Sequence, residues 1–297
     1  MIPEAFDYFA PKTLDEALRL VERHGDEAKL LAGGHSLLPL MKLRLSAPRY
    51  VIDIGRVKSL RAIREEEGTL VIGALTTHHE LETSELVRSR WPLLAEAAAE
   101  IGDAQVRNRG TVGGSLAHGD PAADYPAAIV ALEAEVVVAS SSGTRKIPAE
   151  DFFVDLLTTQ LRPGEILTEV RVPAAREHSG SAYRKLHQPA SGFALVGAAA
   201  RVRLDPGGKI ESVAIGMTGV AVRAYRARAA EGVLTGNKPS RALLAKAAEK
   251  VTDGIEPLAD LHASAAYRRA VASVYARRAL ETAILRANDV RGNERKA

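Results

Sequence analysis

Two Gly-Gly pairs constrain this chain most. They lie in "LAGGHSLLP" (residues 31–39) and "TVGGS" (residues 111–115). Each leaves a strand-like or turn-rich run, and each carries hydroxyl residues. Glycine has no Cβ, so its backbone N–H can approach an anion closely. Successive N–H groups form a concave nest for phosphate, and a helix starting just after the loop adds its dipole. On this reading Ser36, Thr111 and Ser115 donate hydroxyl hydrogen bonds to phosphate oxygens. Either segment alone reads better as a structural turn; two similar loops together put phosphate binding on an equal footing with that reading. Neither matches G-x-G-x-x-G or the P-loop, which disfavours a Rossmann site or a nucleotide hydrolase. Ser36 is not in a G-x-S-x-G elbow, and the adjacency of His35 and Ser36 does not set triad geometry.

The elements around these loops are mixed. Thr13 reads as an N-cap with Asp15 and Glu16 in the first turn, and Gly25 ends that helix. "AKLL" reads as a strand entering the first loop, and "LLPLMKLRL" as a helix with Pro39 in its first turn. "YVIDIG" and "TLVIGAL" read as strands. A helix over "WPLLAEAAAEIG" leads to the second loop, with Trp91-Pro92 as its entry. "AAIVALEAEVVVAS" is helix running into strand, "SSSGTRK" a hairpin turn, and "EILTEVRVP" a strand stopped by Pro173. Residues 175–180 look like a linker. Beyond them "SAYRKL", "FALVGAAARVRL" and "KIESVAIGM" read as strands, the last two joined by "DPGGK". Helices over "SRALLAKAAEKV" and "SAAYRRAVASVYARRALETAI" close the chain. Tyr267, Ala270, Val271 and Val274 share one face of the last helix. This order predicts an α+β fold in two domains rather than a regular βαβ array.

Composition removes several function classes. The 297 residues contain no cysteine. Disulfides, thiolate zinc sites, a cysteine nucleophile and a thiolate-held iron–sulfur cluster are excluded within this chain. No apolar run is long enough for a membrane helix, and the first residues do not form a signal peptide, so a cytoplasmic location is expected. Forty Lys+Arg against thirty-seven Asp+Glu leave a net charge of only +3. No basic stripe with interleaved aromatics suggests nucleic acid.

Other polar residues have bland readings beside the functional ones. His118, Asp120 and Asp124 in "AHGDPAAD" could supply mixed N/O metal ligands. Asp120 reads better as a cap of the following helix, and no metal site is expected. Asp124 could also accept from a ribose hydroxyl. His78-His79 read as a helix opening. Lys185, on a strand opening the second domain, is either a solvated cation or a residue facing the first domain.

The pair "LAGGHSLLPLMKLRL" and "RNRGTVGGSLAHGDPAAD" resembles the FAD-binding medium subunit of bacterial molybdenum hydroxylases. That family includes the carbon monoxide dehydrogenase flavoprotein subunit and the xanthine dehydrogenase FAD domain. The resemblance covers nearly the whole chain. It implies a two-subdomain FAD-binding domain of the vanillyl-alcohol-oxidase type over residues 1–176. A small antiparallel sheet plus helices would follow over 177–286, then a basic, disordered tail over 287–297. It also implies that the FAD pyrophosphate lies between two walls. One is Ala32, Gly33, Gly34, His35, Ser36 and Leu37; the other is Thr111, Val112, Gly113, Gly114 and Ser115. Lys29 would lie near the adenine end and Asp124 on the ribose or adenine side. Ile166 and Leu167 would pack against the isoalloxazine, with Lys185 close to the flavin ring. Phe193 falls where some relatives have a tyrosine beside the flavin, which keeps the aromatic face and loses the hydroxyl.

The function implied by the resemblance is electron transfer. Iron–sulfur clusters on a small subunit and a molybdenum cofactor on a large subunit would feed the FAD, in a dimer of heterotrimers. No residue of this chain is expected to be a catalytic acid or base. The absence of cysteine agrees with that division of labour. Two other readings are a stand-alone FAD oxidoreductase of the same fold superfamily and a non-redox module for a phosphorylated metabolite.

Overall fold

The computed structural model describes residues 2–294. The first unit is a three-stranded parallel sheet. Strand β1 (Asp7–Phe9) leads to helix α1 (Leu14–His24), β2 (Ala28–Leu31), helix α2 (Leu37–Lys42) and β3 (Tyr50–Asp53). The sheet order is β1-β3-β2, with both pairings parallel. Local chemistry sets α1 as the sequence predicts. Thr13 accepts from the Glu16 N–H while Glu16 reaches back to the Thr13 N–H, a complete capping box, and Gly25 ends the helix at φ 48°.

The second unit is a five-stranded antiparallel sheet with helices inserted. Strands β4 (Ile63–Glu66) and β5 (Thr69–Gly73) precede helices α3 (His78–Thr83), α4 (Glu85–Arg90) and α5 (Pro92–Ala99). Helices α6 (Ala104–Arg109), α7 (Val112–His118) and α8 (Asp124–Ala131) follow. Strands β6 (Glu135–Ser140) and β7 (Gly143–Pro148) form the expected hairpin. A short helix, α9 (Ala149–Phe152), then enters the small hairpin β8 (Phe153–Asp155) and β9 (Thr158–Thr159). Strand β10 (Ile166–Val172) completes the sheet, ordered β4-β5-β10-β6-β7. Trp91 enters α5 with its indole buried, and its Nε1–H donates to the Pro173 carbonyl at 2.9 Å.

The third unit is a four-stranded antiparallel sheet, β11 (Ser179–His187), β12 (Ala194–Leu204), β13 (Ile210–Thr218) and β14 (Tyr225–Arg226). It carries helices α10 (Arg228–Leu234), α11 (Arg241–Ala248) and α12 (Ala265–Glu294). Strand β11 begins inside the segment read as linker. Helix α12 continues past residue 287, where the sequence pointed to a tail, and residues 295–297 lie outside the described residues.

The buried face of α12 also differs from the sequence reading. Tyr267 is 49% exposed, whereas Ala272, Ala276, Ala279, Ala283 and Ala287 are fully buried. The reason is close approach. A Cβ placed on Gly180 of β11 would lie 2.0 Å from the Ala283 carbonyl oxygen, so helix and sheet touch backbone to backbone. Only a stripe of small residues permits this distance. Arg268 is buried beside that stripe, donating to the Leu195 and Gly219 carbonyls at 2.7 and 2.6 Å.

Helix α8 joins the second and third units. Every residue from Asp124 to Ala131 is buried, as expected for a helix covered on all sides. The entry loop to α8 is pinned by the third unit. Thr218 Oγ1 donates to the Pro121 and Ala123 carbonyls at 2.7 and 2.8 Å, and the Gly219 N–H also donates to Pro121 O. The position of Asp124 is therefore set by the C-terminal sheet as much as by its own loop.

Candidate cofactor site

The two glycine loops meet at the mouth of a cavity of about 550 Å³. The first runs from the end of β2 into α2. Gly34 has φ 80°, a left-handed conformation that disfavours a side chain. Gly33 faces the second loop so closely that a Cβ would lie 2.3 Å from the Arg109 carbonyl oxygen and 2.8 Å from Gly110 Cα. Glycine here is what allows the two loops to touch.

The backbone donors of the two loops differ. Among the described residues, the N–H groups of Gly33, Gly34, His35, Ser36 and Leu37 donate to no backbone or side-chain acceptor. They form an uninterrupted row of open donors. On the second loop four amides are committed, and only the Thr111 N–H at the helix N-cap is left without an acceptor among the described residues. Val112 N–H donates to Thr76 O, Gly113 N–H to Ala74 O, Gly114 N–H to Thr111 Oγ1 and Ser115 N–H to Thr111 O. The two sides therefore differ: the first loop presents an uninterrupted nest of open N–H groups, and the second a wall whose one open amide from Thr111 to Ser115 is that of Thr111. The wall offers the Ser115 hydroxyl and uncovered glycine backbone.

Most residues expected at the site line this cavity. From the first loop these are Lys29, Ala32, Gly33, Gly34, His35, Ser36 and Leu37; from the second, Thr111, Gly113, Gly114 and Ser115. Asp124 is on its wall, as are Ile166 and Leu167 at the start of β10 and Phe193 at 48% exposure. Val112 and Lys185 are not on the lining. Val112 is turned into the core, with its N–H tied to Thr76.

Lys185 stands behind Asp124. Its Nζ donates to Asp124 Oδ2 at 2.9 Å and to the Glu100 carbonyl at 2.8 Å, and its side chain is fully enclosed. The Tyr183 hydroxyl donates to Asp124 Oδ1 at 2.6 Å. Burial pushes the Asp124 carboxyl up to about 6; the Lys185 ammonium and the Tyr183 hydroxyl pull against it. A charge this deep needs such partners to stay ionised. Both partners come from β11, across the interface between the second and third units.

Asp120 is not the helix cap read from the sequence. Ala123 occupies the N-cap of α8 without a side-chain cap, while Asp120 Oδ1 accepts from the Ala122 N–H at 2.8 Å and shapes the preceding turn. Among the described residues, no three His, Cys, Asp or Glu side chains are grouped to hold a metal ion. His78 opens α3 behind a Thr77/Glu80 capping box, as read, but it also lines the cavity. Sequence reasoning missed this second role, together with Gly110 and Tyr183. The one local signal was the capping box, which fixes His78 as the first helical residue and turns it inward.

The cradle of open N–H groups, the loop contact that a Cβ would fill and the apolar walls together suit a long phosphate-bearing cofactor. Comparison with known proteins names it. Residues 4–175 match the family model described as FAD binding domain in molybdopterin dehydrogenase, and residues 181–283 match the CO dehydrogenase flavoprotein C-terminal domain. The chain belongs to the molybdopterin dehydrogenase flavoprotein family. It is 44% identical over 283 residues to the carbon monoxide dehydrogenase medium chain of Hydrogenophaga pseudoflava, covering 95% of this chain and 98% of that one. It is 40% identical to the 6-hydroxypseudooxynicotine dehydrogenase complex subunit alpha of Paenarthrobacter nicotinovorans, covering 97% of each. A solved structure of the Hydrogenophaga pseudoflava carbon monoxide dehydrogenase superposes with TM-score 0.93 at 45% identity, covering 96% of this chain and 99% of its counterpart. This flavoprotein is an α+β chain with an FAD-binding domain followed by a sheet-and-helix domain, and it is an oxidoreductase component whose cofactor is FAD. Among the described residues, no helix is long and apolar enough to cross a membrane.

Proposed function

We propose that the chain is the electron-transfer subunit of a cytoplasmic, multisubunit molybdenum hydroxylase. It takes electrons from iron–sulfur clusters of a small partner subunit, supplied by a large molybdenum subunit, and passes them through FAD to an external acceptor. The complex is a dimer of heterotrimers. Residues 1–176 hold the cofactor, and residues 177–286 close its inner side. The observation that carries this reading is the row of uncommitted N–H groups from Gly33 to Leu37 at the cavity, in a chain without a single cysteine.

The residues divide the work by chemistry. The N–H groups of Gly33 through Leu37 and the hydroxyls of Ser36 and Ser115 hold the diphosphate. Lys29 stands at the adenine end. Asp124 accepts from a ribose hydroxyl or the adenine side, held in place by Tyr183 and Lys185. Lys185 acts through that carboxylate rather than by touching the ring. Ile166 and Leu167 supply the apolar surface for the isoalloxazine, and Phe193 screens the cavity mouth. FAD, when bound, accepts or gives one or two electrons, which suits a junction between one-electron and two-electron partners. No side chain of this chain acts as acid or base.

The test compares the intact complex with the isolated chain under anaerobic conditions. Both should be yellow with stoichiometric FAD. The organic substrate of the molybdenum subunit should bleach the flavin in the complex and leave the isolated chain oxidised. Direct bleaching of the isolated chain would establish the stand-alone oxidoreductase instead, and a colourless chain that takes up no FAD would overturn both.

A further inference from the structure

A histidine outside both glycine motifs stands where the two loops meet. His78 is 5% exposed and lines the cavity. Its Nδ1 lies 3.1 Å from the Tyr125 hydroxyl, and Tyr125 is completely enclosed. Were Nδ1 to carry the hydrogen, the phenol hydrogen would be buried without an acceptor, the costly arrangement. The phenol therefore donates to Nδ1, and the ring hydrogen resides on Nε2. Burial lowers the His78 pKa to about 4, helped by its neighbours His35 and Arg107, so the ring is neutral at pH 7.

Nε2 makes no hydrogen bond among the described residues. Its edge lies against Gly110, where a Cβ would come within 2.5 Å of Nε2. Gly110 is the same residue whose Cα abuts Gly33 of the first loop. A neutral donor with a fixed tautomer is thus held directly behind the contact between the two loops.

We propose that His78 is a cofactor-binding residue, donating from Nε2–H to an acceptor oxygen of the FAD diphosphate. Tyr125 is the positioning residue that fixes its tautomer. This rests on the FAD reading above. The donor complements the N–H row on the first loop and adds to the second, where the amides of Val112 to Ser115 are committed to other acceptors.

The test titrates the full-length apoprotein with FAD, ADP and riboflavin by fluorescence or calorimetry. A hydrogen bond to a charged oxygen is a strong one. His78→Phe should therefore weaken FAD and ADP together by about 10-fold or more, with riboflavin unchanged. His78→Gln, which keeps an N–H donor, should restore most of the affinity. Tyr125→Phe should fall between. Unchanged FAD binding in His78→Phe overturns the proposal while leaving the FAD reading intact. An equal loss for riboflavin, or no recovery with Gln, assigns His78 a merely structural role and also overturns it. A wild-type chain that binds neither FAD nor ADP overturns the FAD reading itself. If His78→Phe does not fold, the other two variants decide: FAD and ADP weakened in Tyr125→Phe but not in His78→Gln supports the proposal, and equal affinities overturn it.

Discussion

Replacing Gly33 by alanine tests the loop junction most directly. The new Cβ would meet three backbone atoms, Arg109 O at 2.3 Å, Gly110 Cα at 2.8 Å and Arg109 C at 2.9 Å, and none can rotate away. The loops must part by about 1 Å, a misplacement of the kind that is expensive at a preorganised site. Forcing one extra methyl into a packed contact costs about 1–3 kcal/mol of stability. The larger effect falls on the cofactor. Gly33 heads the row of open N–H groups, and each hydrogen bond to a charged group contributes about 1.5–3 kcal/mol. Loss of even one weakens FAD by roughly 10- to 150-fold. The assay is FAD titration of the apoprotein, paired with its thermal melt. Gly232→Ala is the control, because nothing lies within 4 Å of its Cβ and the position is helical. That variant should gain about 0.5–1 kcal/mol of stability and bind FAD normally. Wild-type FAD affinity in Gly33→Ala would refute the idea that backbone contact between the loops shapes the site.

Two buried titrations oppose each other in the apoprotein. His78 is lowered to about 4, so its contribution to stability is complete above 6.5 and is lost as pH falls from 6.5 to 4, about 3 kcal/mol in all. Asp124 is raised to about 6, so its contribution is complete below 3.8 and is lost as pH rises through 6. Urea melts of Asp124→Asn between pH 4 and 7 should show stability rising with pH, and melts of His78→Phe should show it falling; the same slope in both variants would contradict the assignments. Lys185→Met leaves the Asp124 carboxylate buried without its cation and should destabilise by about 3–5 kcal/mol at pH 8. Adding Asp124→Asn should recover much of that loss, and additive effects in this double-mutant cycle would show that the two groups do not act as a pair.

The chain shows where local physics is readable and where it is not. The Thr13/Glu16 capping box, the Ser140–Gly143 hairpin turn and the stop at Pro173 are decided within a few residues, so the sequence reveals them. The glycine loops are equally legible, because open backbone and positive φ are properties of glycine itself. By itself the sequence also determined that no thiolate chemistry resides here. Three things needed the tertiary structure. The amide inventory separating an anion nest from a wall depends on Thr76 and Ala74, which dock on the second loop from the segment just after β5. The state of Asp124 depends on Tyr183 and Lys185, contributed by another domain. The buried face of α12 depends on how closely the sheet approaches: Ala272, Ala276, Ala279, Ala283 and Ala287 share one side of the helix, but only the backbone contact with Gly180 makes that small-residue stripe, rather than the larger Tyr267 and Val271, the buried one. Local propensity names the elements; burial and long-range pairing decide which face, which donor and which charge state the cofactor meets.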